Sequence, residues 1–149
     1  GEKIKYIGPI GYFNFDENRK KPKIFLAGGI GITPFHSIIK TLNFDKSLLR
    51  VCLLVSFSGE EEAVFYKELK KIESENQNVK IIYSLTHEIK KGFEKGRIDK
   101  SLIEKYCPDF KISEFFIVGP PQMAEELFET VKSLGIKEDN IFKEDFSGY

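Results

Sequence analysis

Short runs of apolar residues alternate along the chain with stretches in which apolar residues recur every three or four positions. The runs predict five strands, at residues 24–27, 51–55, 79–85, 115–118 and 140–143. The periodic stretches predict helices over residues 34–42, 61–73, 99–107 and 122–134, and residues 86–97 predict a polar loop. This alternation predicts an α/β fold, a doubly wound five-stranded parallel sheet with helices on both faces.

The ends of the helices are predicted from capping residues. Thr33 is expected to cap the first helix, with Pro34 at the first helical position, where a missing N–H costs nothing. The second helix is expected to bury Val64 and Phe65 on its apolar face. Asp99 is expected to cap the third helix.

Residues 1–22 do not follow the alternation of strands and helices. They predict a strand, a turn and a polar linker, and the chain begins with Gly1 instead of Met. We therefore divide the chain into residues 1–22, the tail of a preceding domain with its linker, and residues 23–149, the α/β domain.

Composition and charge argue against several classes of function. The chain has 23 basic and 23 acidic residues, so it offers no bulk attraction for nucleic acid or an anionic membrane. No apolar run approaches the roughly 20 residues that span a bilayer. Cys52 and Cys107 lack the spacing of a metal site and are expected to be reduced thiols in a cytoplasmic protein. His36 and His87 are expected to be solvated, and no metal site is predicted.

The strongest local motif lies between the first strand and the first helix, at residues 28–34, which read G-G-I-G-I-T-P. Glycines let a diphosphate approach the backbone, and the helix N-terminus offers free N–H groups and about half a positive charge. The alternative is a tight strand-to-helix turn that needs small residues. The spacing departs from G-x-G-x-x-G, so the ordinary dinucleotide fingerprint is not matched.

A second motif, residues 119–123 with the sequence G-P-P-Q-M, follows the fourth predicted strand. In a parallel sheet this loop lies at the same edge as the glycine motif, where open α/β sheets bind ligands. Its two prolines also suit a rigid helix start, so the motif alone does not decide between the two roles.

Together these segments resemble the pyridine-nucleotide domain of the ferredoxin–NADP reductase superfamily of flavin-dependent reductases. Five motifs of that superfamily occur in order, at residues 8–13 (G-P-I-G-Y-F), 28–34, 96–98 (G-R-I), 119–123 and 144–146 (E-D-F). The first of them resembles the end of the flavin-binding β-barrel domain, so the resemblance implies that residues 1–22 are the tail of that domain. The ordered set is far more specific than any single motif.

The resemblance implies a set of cofactor-binding residues near the ends of the strands. They are Gly28, Gly29, Gly31, Ile32, Thr33, Pro34, Ser56, Ser58, Gly119, Pro120, Pro121, Met123, Glu144 and Phe146. The glycines would border the diphosphate, the serines would face the adenosine, and the G-P-P-x-M segment would line the nicotinamide. Thr33 and Glu144 would position the nicotinamide without acid–base chemistry, and Phe146 would pack over the flavin.

The implied function is that of the NAD(P)H-binding half of a flavin-dependent oxidoreductase. Such enzymes pass hydride from the nicotinamide to FAD or FMN, and electrons then go to a small molecule or to an acceptor protein such as ferredoxin or an oxygenase component. No R-x-Y-S/T element, which grips the flavin in this superfamily, occurs in the 149 residues. The flavin domain is therefore expected in the same or a partner chain, and this chain alone is expected to be inactive. The alternative is a stand-alone nucleotide-binding or electron-transfer subunit that docks on a separate flavoprotein.

Two departures from the superfamily bear on mechanism and cofactor choice. Val118 stands where many relatives have a cysteine beside the hydride path, so no thiol is expected to take part. Ser58 stands where many have an arginine that contacts the nucleotide. The segment after the second strand carries Glu60, Glu61 and Glu62 and no basic residue, so repulsion of an extra phosphate predicts a preference for NADH over NADPH.

Overall fold

The computed structural model describes residues 20–145, and its centre is a single parallel β-sheet. The strands are β1 (Lys23–Gly28), β2 (Val51–Phe57), β3 (Val79–Leu85), β4 (Glu94–Lys95), β5 (Glu114–Gly119) and β6 (Ile141–Asp145). They lie in the order β4-β3-β2-β1-β5-β6, and each neighbouring pair is parallel.

Helices cover both faces of the sheet. They are α1 (Ile32–Phe44), α2 (Tyr66–Glu75), α3 (Lys100–Tyr106) and α4 (Pro121–Ser133). Phe35 of α1 and Leu69 of α2 belong to the core on one face. Ile103 of α3 and Leu127 of α4 belong to the core on the other face. The two cores confirm the predicted doubly wound α/β fold, because each helix buries one apolar stripe against a two-sided sheet.

The sheet has six strands, so the predicted number of five is wrong. The additional strand, β4, has two residues and pairs with Ser84 and Leu85 at the edge of β3. It lies within the stretch predicted as a polar loop. Two polar residues show no hydrophobic period, and it is backbone pairing with β3 that places them in the sheet.

The first helix begins earlier than the sequence predicts. A 3₁₀ turn at Gly29–Gly31 runs directly into α1, which therefore starts at Ile32. The prediction that Thr33 is the N-cap is therefore wrong. Its hydroxyl instead donates a hydrogen bond to the Ile30 carbonyl oxygen at 2.8 Å. Pro34 is the third helical residue, still within the first turn, where N–H groups have no partner in the helix.

The second helix begins later than predicted. The three acids Glu60–Glu62 form a separate 3₁₀ turn, and Phe65 has a φ of 59°, in the left-handed region that interrupts a helix. α2 therefore starts one residue further on, and Val64, predicted to be buried, is 39% exposed. The predicted cap of α3 is confirmed, since Asp99 accepts a hydrogen bond from the N–H of Leu102 at 2.8 Å.

The direction of winding reverses between β1 and β5. From β1 the chain proceeds through β2 and β3 to one edge of the sheet, and then returns to add β5 and β6 on the other side of β1. The register pairs Lys23 with Glu114, and their side chains form a buried ion pair at 2.6 Å. At the opposite, carboxyl end of the same two strands, the loops after β1 and β5 lie side by side, where ligands of open α/β sheets bind.

Gly31 lies against the end of β5. A Cβ atom at Gly31 would overlap the carbonyl oxygen of Val118 and lie 2.8 Å from its carbonyl carbon. Both contacts are with backbone, which cannot rotate away as a side chain could. Only glycine therefore allows the turn after β1 to lie against the end of β5.

We expect Gly31→Ala to lower the free energy of unfolding by about 3 kcal/mol, because the added methyl group overpacks a backbone contact. Gly29→Ala is the matched control. Gly29 has a φ of 53° and no atom within 4 Å of its Cβ position, so alanine there carries only the strain of the left-handed conformation, about 1 kcal/mol. Urea unfolding of both variants measures the difference. An equal loss in the two variants would show that the contact with Val118 does not restrict the loop.

Candidate functional site

A cleft of about 400 Å³ opens at the carboxyl edge of the sheet, beside the point where the winding reverses. Residues at or just after the ends of β1, β2, β3, β4 and β5 line it, together with residues of α4. They are Gly28, Gly29, Ser56, Phe57, Ser58, Glu62, Thr86, Arg97, Ile98, Pro120, Gln122, Met123, Glu126, Leu127 and Thr130. Its volume falls within the usual range for small-molecule sites, roughly 300–1,000 Å³.

The glycine loop forms one wall of the cleft. Gly28 is extended, with φ −119° and ψ 123°, and Gly29 turns the chain with a φ of 53°. The 3₁₀ turn then leads into α1, so the positive end of that 13-residue helix lies at this edge of the sheet. The wall thus combines exposed backbone with a partial positive charge, an arrangement suited to an anionic ligand.

The loop after β5 forms the opposing wall. Pro120 precedes α4, with Pro121 as its first residue. A Cβ atom at Gly28 would overlap the Met123 sulfur and lie 3.2 Å from the Pro120 Cδ atom. Because Gly28 has no side chain, the Met123 side chain can extend across the cleft and contact the glycine loop. The conformation of this flexible thioether therefore sets the width of the cleft.

Charged groups lie along the side of the cleft formed by α4. A guanidinium nitrogen of Arg97 lies 3.3 Å from a carboxylate oxygen of Glu126, and the other oxygen of that carboxylate accepts a hydrogen bond from Gln122 at 2.9 Å. The Arg97 side chain is 77% exposed, so this ion pair is weak and can rearrange around a ligand.

The three acids after β2 do not all face the cleft. Glu62 lines it. Glu60 is paired with Lys90, and its backbone N–H donates to the carboxylate of Glu88. Glu61 lines a neighbouring hollow that shares Ser58 and Glu62 with the cleft, and Glu61 itself is not part of the cleft lining. The expectation that all three would repel a phosphate therefore applies directly to Glu62.

The structure brings together part of the predicted cofactor-binding set. Those that line the cleft are Gly28, Gly29, Ser56, Ser58, Pro120 and Met123. Others lie at the same edge of the sheet outside the cleft lining, namely Gly31, Ile32, Thr33, Pro34, Gly119, Pro121 and Glu144. Glu144 is reached through β6, where it pairs with Val118 of β5. Phe146 and the motif at residues 8–13 lie outside the described residues.

Sequence reasoning missed much of the lining contributed by α4 and by the segment after β4. The missed polar residues are Arg97, Gln122, Glu126 and Thr130, together with Thr86 after β3. Arg97 belongs to the G-R-I motif, and that motif was the one signal that could have drawn attention to it. Gln122 lies within the motif at residues 119–123, whereas Glu126 and Thr130 carried no signal, since an exposed polar face is typical of an ordinary solvated helix.

His36 is not solvated as expected. Its ring stacks on Phe65 with the centroids 3.8 Å apart, and its Nε2 lies 2.7 Å from a carboxylate oxygen of Glu68. Hydrogen bonds from Lys40 and from His36 lower the pKa of Glu68. The cluster ties α1 to α2, beside the core to which both helices contribute.

Residues 20–145 contain no group of three or more His, Cys, Asp or Glu side chains that could hold a metal ion. In the same part of the chain, no helix combines the length and the apolar character needed to cross a bilayer.

Comparison with known proteins identifies relatives of this arrangement. Residues 25–128 match the family model of the oxidoreductase NAD-binding domain. The chain is 32% identical over 146 residues to NADH-cytochrome b5 reductase 1 of Dictyostelium discoideum, covering 95% of this chain and 51% of that protein. It is 30% identical over 159 residues to a subunit of the Na(+)-translocating NADH-quinone reductase of a Marinomonas species, covering 99% and 38%. The chain thus spans about half or less of these relatives.

Solved structures show the same fold. The flavohemoglobin of Malassezia yamatoensis, with bound FAD and heme, superposes with a TM-score of 0.75 at 30% identity, covering 85% of this chain and 32% of that one. The FAD/NAD binding domain of nitric oxide dioxygenase from Vibrio cholerae superposes with a TM-score of 0.82 at 23% identity, covering 93% and 56%.

Proposed function

The chain belongs to the oxidoreductase NAD-binding domain family, and from this membership we propose that it is the NAD(P)H-binding half of a flavin-dependent oxidoreductase. The observation that carries the proposal is the cleft between the glycine loop, which follows β1, and the loop that follows β5 and contains Pro120 (the Pro120 loop). The cleft lies where the direction of winding reverses between these two strands. The relatives named above include an NADH-dependent reductase and a flavohemoglobin with bound FAD. Both support the resemblance to the ferredoxin–NADP reductase superfamily.

The residues of the cleft fit a dinucleotide. The diphosphate would lie on Gly28 and Gly29, where side chains are missing and the N-terminus of α1 supplies positive potential. Ser56 and Ser58, at the end of β2, would face the adenosine ribose. Pro120 and Met123 would line the nicotinamide end.

When bound, the two cofactors supply the redox chemistry, the transfer of a hydride from nicotinamide to flavin. The residues of this chain would bind the nicotinamide cofactor, orient its ring and exclude water from the site. The hydrogen bond from Thr33 to the Ile30 carbonyl holds the glycine loop in shape. Thr33 and Glu144, one after β1 and the other near the end of β6, would place the nicotinamide ring.

We place the flavin, FAD or FMN, in a domain of the same or a partner chain, which would pack against the glycine loop. Ile30 is 66% exposed at this loop, an apolar side chain suited to such a contact. The electron acceptor would be a protein such as ferredoxin or an oxygenase component. Two cysteines kept as free thiols support a cytoplasmic location.

We also propose that the cleft prefers NADH to NADPH. Among its described lining residues, Glu62 and Glu126 carry negative charge and Arg97 carries positive charge. Because the lining holds two carboxylates and one guanidinium, the extra phosphate of NADPH, on the adenosine ribose, would meet a net negative surface. The preference expected from the acids after β2 therefore stays a prediction, with Glu62 and Glu126 as the responsible groups in place of Glu60 and Glu61.

Substituting Gly28 tests the nucleotide site. We expect Gly28→Val to raise the dissociation constant for NADH at least tenfold in a fluorescence titration, because its side chain would enter the cleft and displace Met123. The extended backbone at Gly28 accepts valine, so the sheet should stay folded by circular dichroism.

The matched control is Gly135→Ala. Gly135 follows the C-cap of α4 with a φ of 83°, so alanine there costs about 1 kcal/mol of stability and touches nothing in the cleft. NADH affinity should stay within twofold of the unaltered chain. A folded Gly28→Val protein that binds NADH as tightly as the control would refute the site assignment.

Charge substitutions test the preference for NADH. A carboxylate near the extra phosphate at an exposed site costs about 1 kcal/mol, or roughly fivefold in affinity. We therefore expect Glu126→Gln, which frees Arg97, to lower the ratio of the NADPH to the NADH dissociation constant about fivefold at low salt. Glu61→Gln, outside the cleft, should leave the ratio unchanged. An unaltered chain that prefers NADPH would contradict the proposal.

A further inference from the structure

A second cavity, of about 340 Å³, opens near the amino ends of β1, β2 and β3, away from the nucleotide cleft. Its lining includes Arg50, Lys80 and Pro108 together with both cysteines, Cys52 and Cys107. The proposed function uses none of these residues. Cys52 is 8% exposed and Cys107 is 3% exposed, so both residues are buried. The cavity therefore gives a small solute a route to their sulfur atoms.

The two thiols are in direct contact. The Cys107 thiol donates a hydrogen bond to the Cys52 sulfur with the sulfur atoms 2.8 Å apart, and the Cys52 thiol faces the carbonyl oxygen of Tyr106 at 3.7 Å. A disulfide has an S–S distance of about 2.05 Å, so the sulfurs need to approach by less than about 1 Å.

Regular structure holds both residues in place. Cys52 lies within β2 and pairs in register with Ile24 of β1 and Lys80 of β3. Cys107 directly follows α3 as its C-cap, with its N–H donating to the carbonyl of Ile103 at 2.9 Å. The sulfur contact therefore comes from the packing of α3 on the sheet, not from a loop that happens to pass by.

We propose that Cys52 and Cys107 are a site of reversible disulfide formation, oxidised by hydrogen peroxide and reduced again by a dithiol. The bond would join β2 to the end of α3 and close a loop whose ends are 55 residues apart. Disulfides in reducing compartments are mostly transient and redox-responsive, and this pair would belong to that class.

The reaction balances with one peroxide molecule. The sulfur of one cysteine, having lost its proton, attacks a peroxide oxygen, so that the O–O bond breaks and a sulfenic acid and water result. The second sulfur then attacks the sulfenic sulfur, the S–S bond forms, the S–O bond breaks and a second water leaves. The two thiols lose two electrons and two hydrogens, and the peroxide is reduced to two waters.

The hydrogen bond between the thiols assigns an order to these steps. Cys107 is the donor in this contact, so its proton lies between the two sulfurs, and Cys52 is the more accessible residue, 8% exposed against 3% for Cys107. The same hydrogen bond and burial raise the pKa of the Cys107 thiol. Cys52 is therefore the residue that attacks peroxide, and Cys107 is the residue that resolves the sulfenic acid.

The sequence makes this site directly measurable, because the chain has no cysteines besides these two. After peroxide treatment of the folded chain, we expect the thiols titrated under denaturing conditions to fall from two to zero and the intact mass to fall by about 2 Da. A dithiol should restore both values. The protein should remain a monomer on a non-reducing gel, with a melting temperature raised by roughly 5–10 °C.

Single substitutions test the order of the steps. Cys107→Ala should leave Cys52 to form a sulfenic acid that a dimedone probe traps. Cys52→Ala should leave Cys107 unlabelled under the same treatment. The double alanine variant is the control for mass and melting temperature. Two free thiols after treatment, oxygen added without loss of 2 Da, or a disulfide-linked dimer would each overturn the proposal.

Discussion

The pairing of β1 with β5 is the constraint on which the rest of the domain depends. It is the only place where the winding changes direction among the six described strands. At one end of the pair, Lys23 and Glu114 form a buried ion pair. At the other, Gly31 lies so close to the Val118 carbonyl that no side chain fits between them. The register of these two strands therefore decides where the loops after them meet.

The cleft follows from that register. The glycine loop and the Pro120 loop come from strands that are distant in sequence and adjacent in the sheet. Met123 bridges them because Gly28 has no side chain. The charged part of the cleft has a different origin, since Arg97 follows β4 and Glu126 lies on α4. Backbone shape and surface charge are thus supplied by separate segments, so one can vary without altering the other.

The carboxyl ends and the amino ends of the strands carry different functional groups. The carboxyl edge presents glycines, helix N-termini and exposed polar side chains, all suited to a large anionic ligand. The region near the amino ends of the strands holds the two thiols beside a smaller cavity, and the two sulfur atoms are in contact there. A parallel sheet separates these sites by the full length of its strands, so a covalent change at one need not disturb the other.

The local pattern of the sequence was enough to predict the α/β class, the four helices and the two loops that border the cleft. Hydrophobic period and glycine spacing are short-range properties, and a strand such as β3 is predictable from them alone. The sequence could not reveal β4, which has no apolar pattern and joins the sheet only by backbone pairing. It also could not show that Phe65 stacks on His36, that Arg97 meets Glu126, or that the two cysteine sulfurs touch. Those contacts join residues 29 or more positions apart, and only the packing of helices on the sheet brings them together.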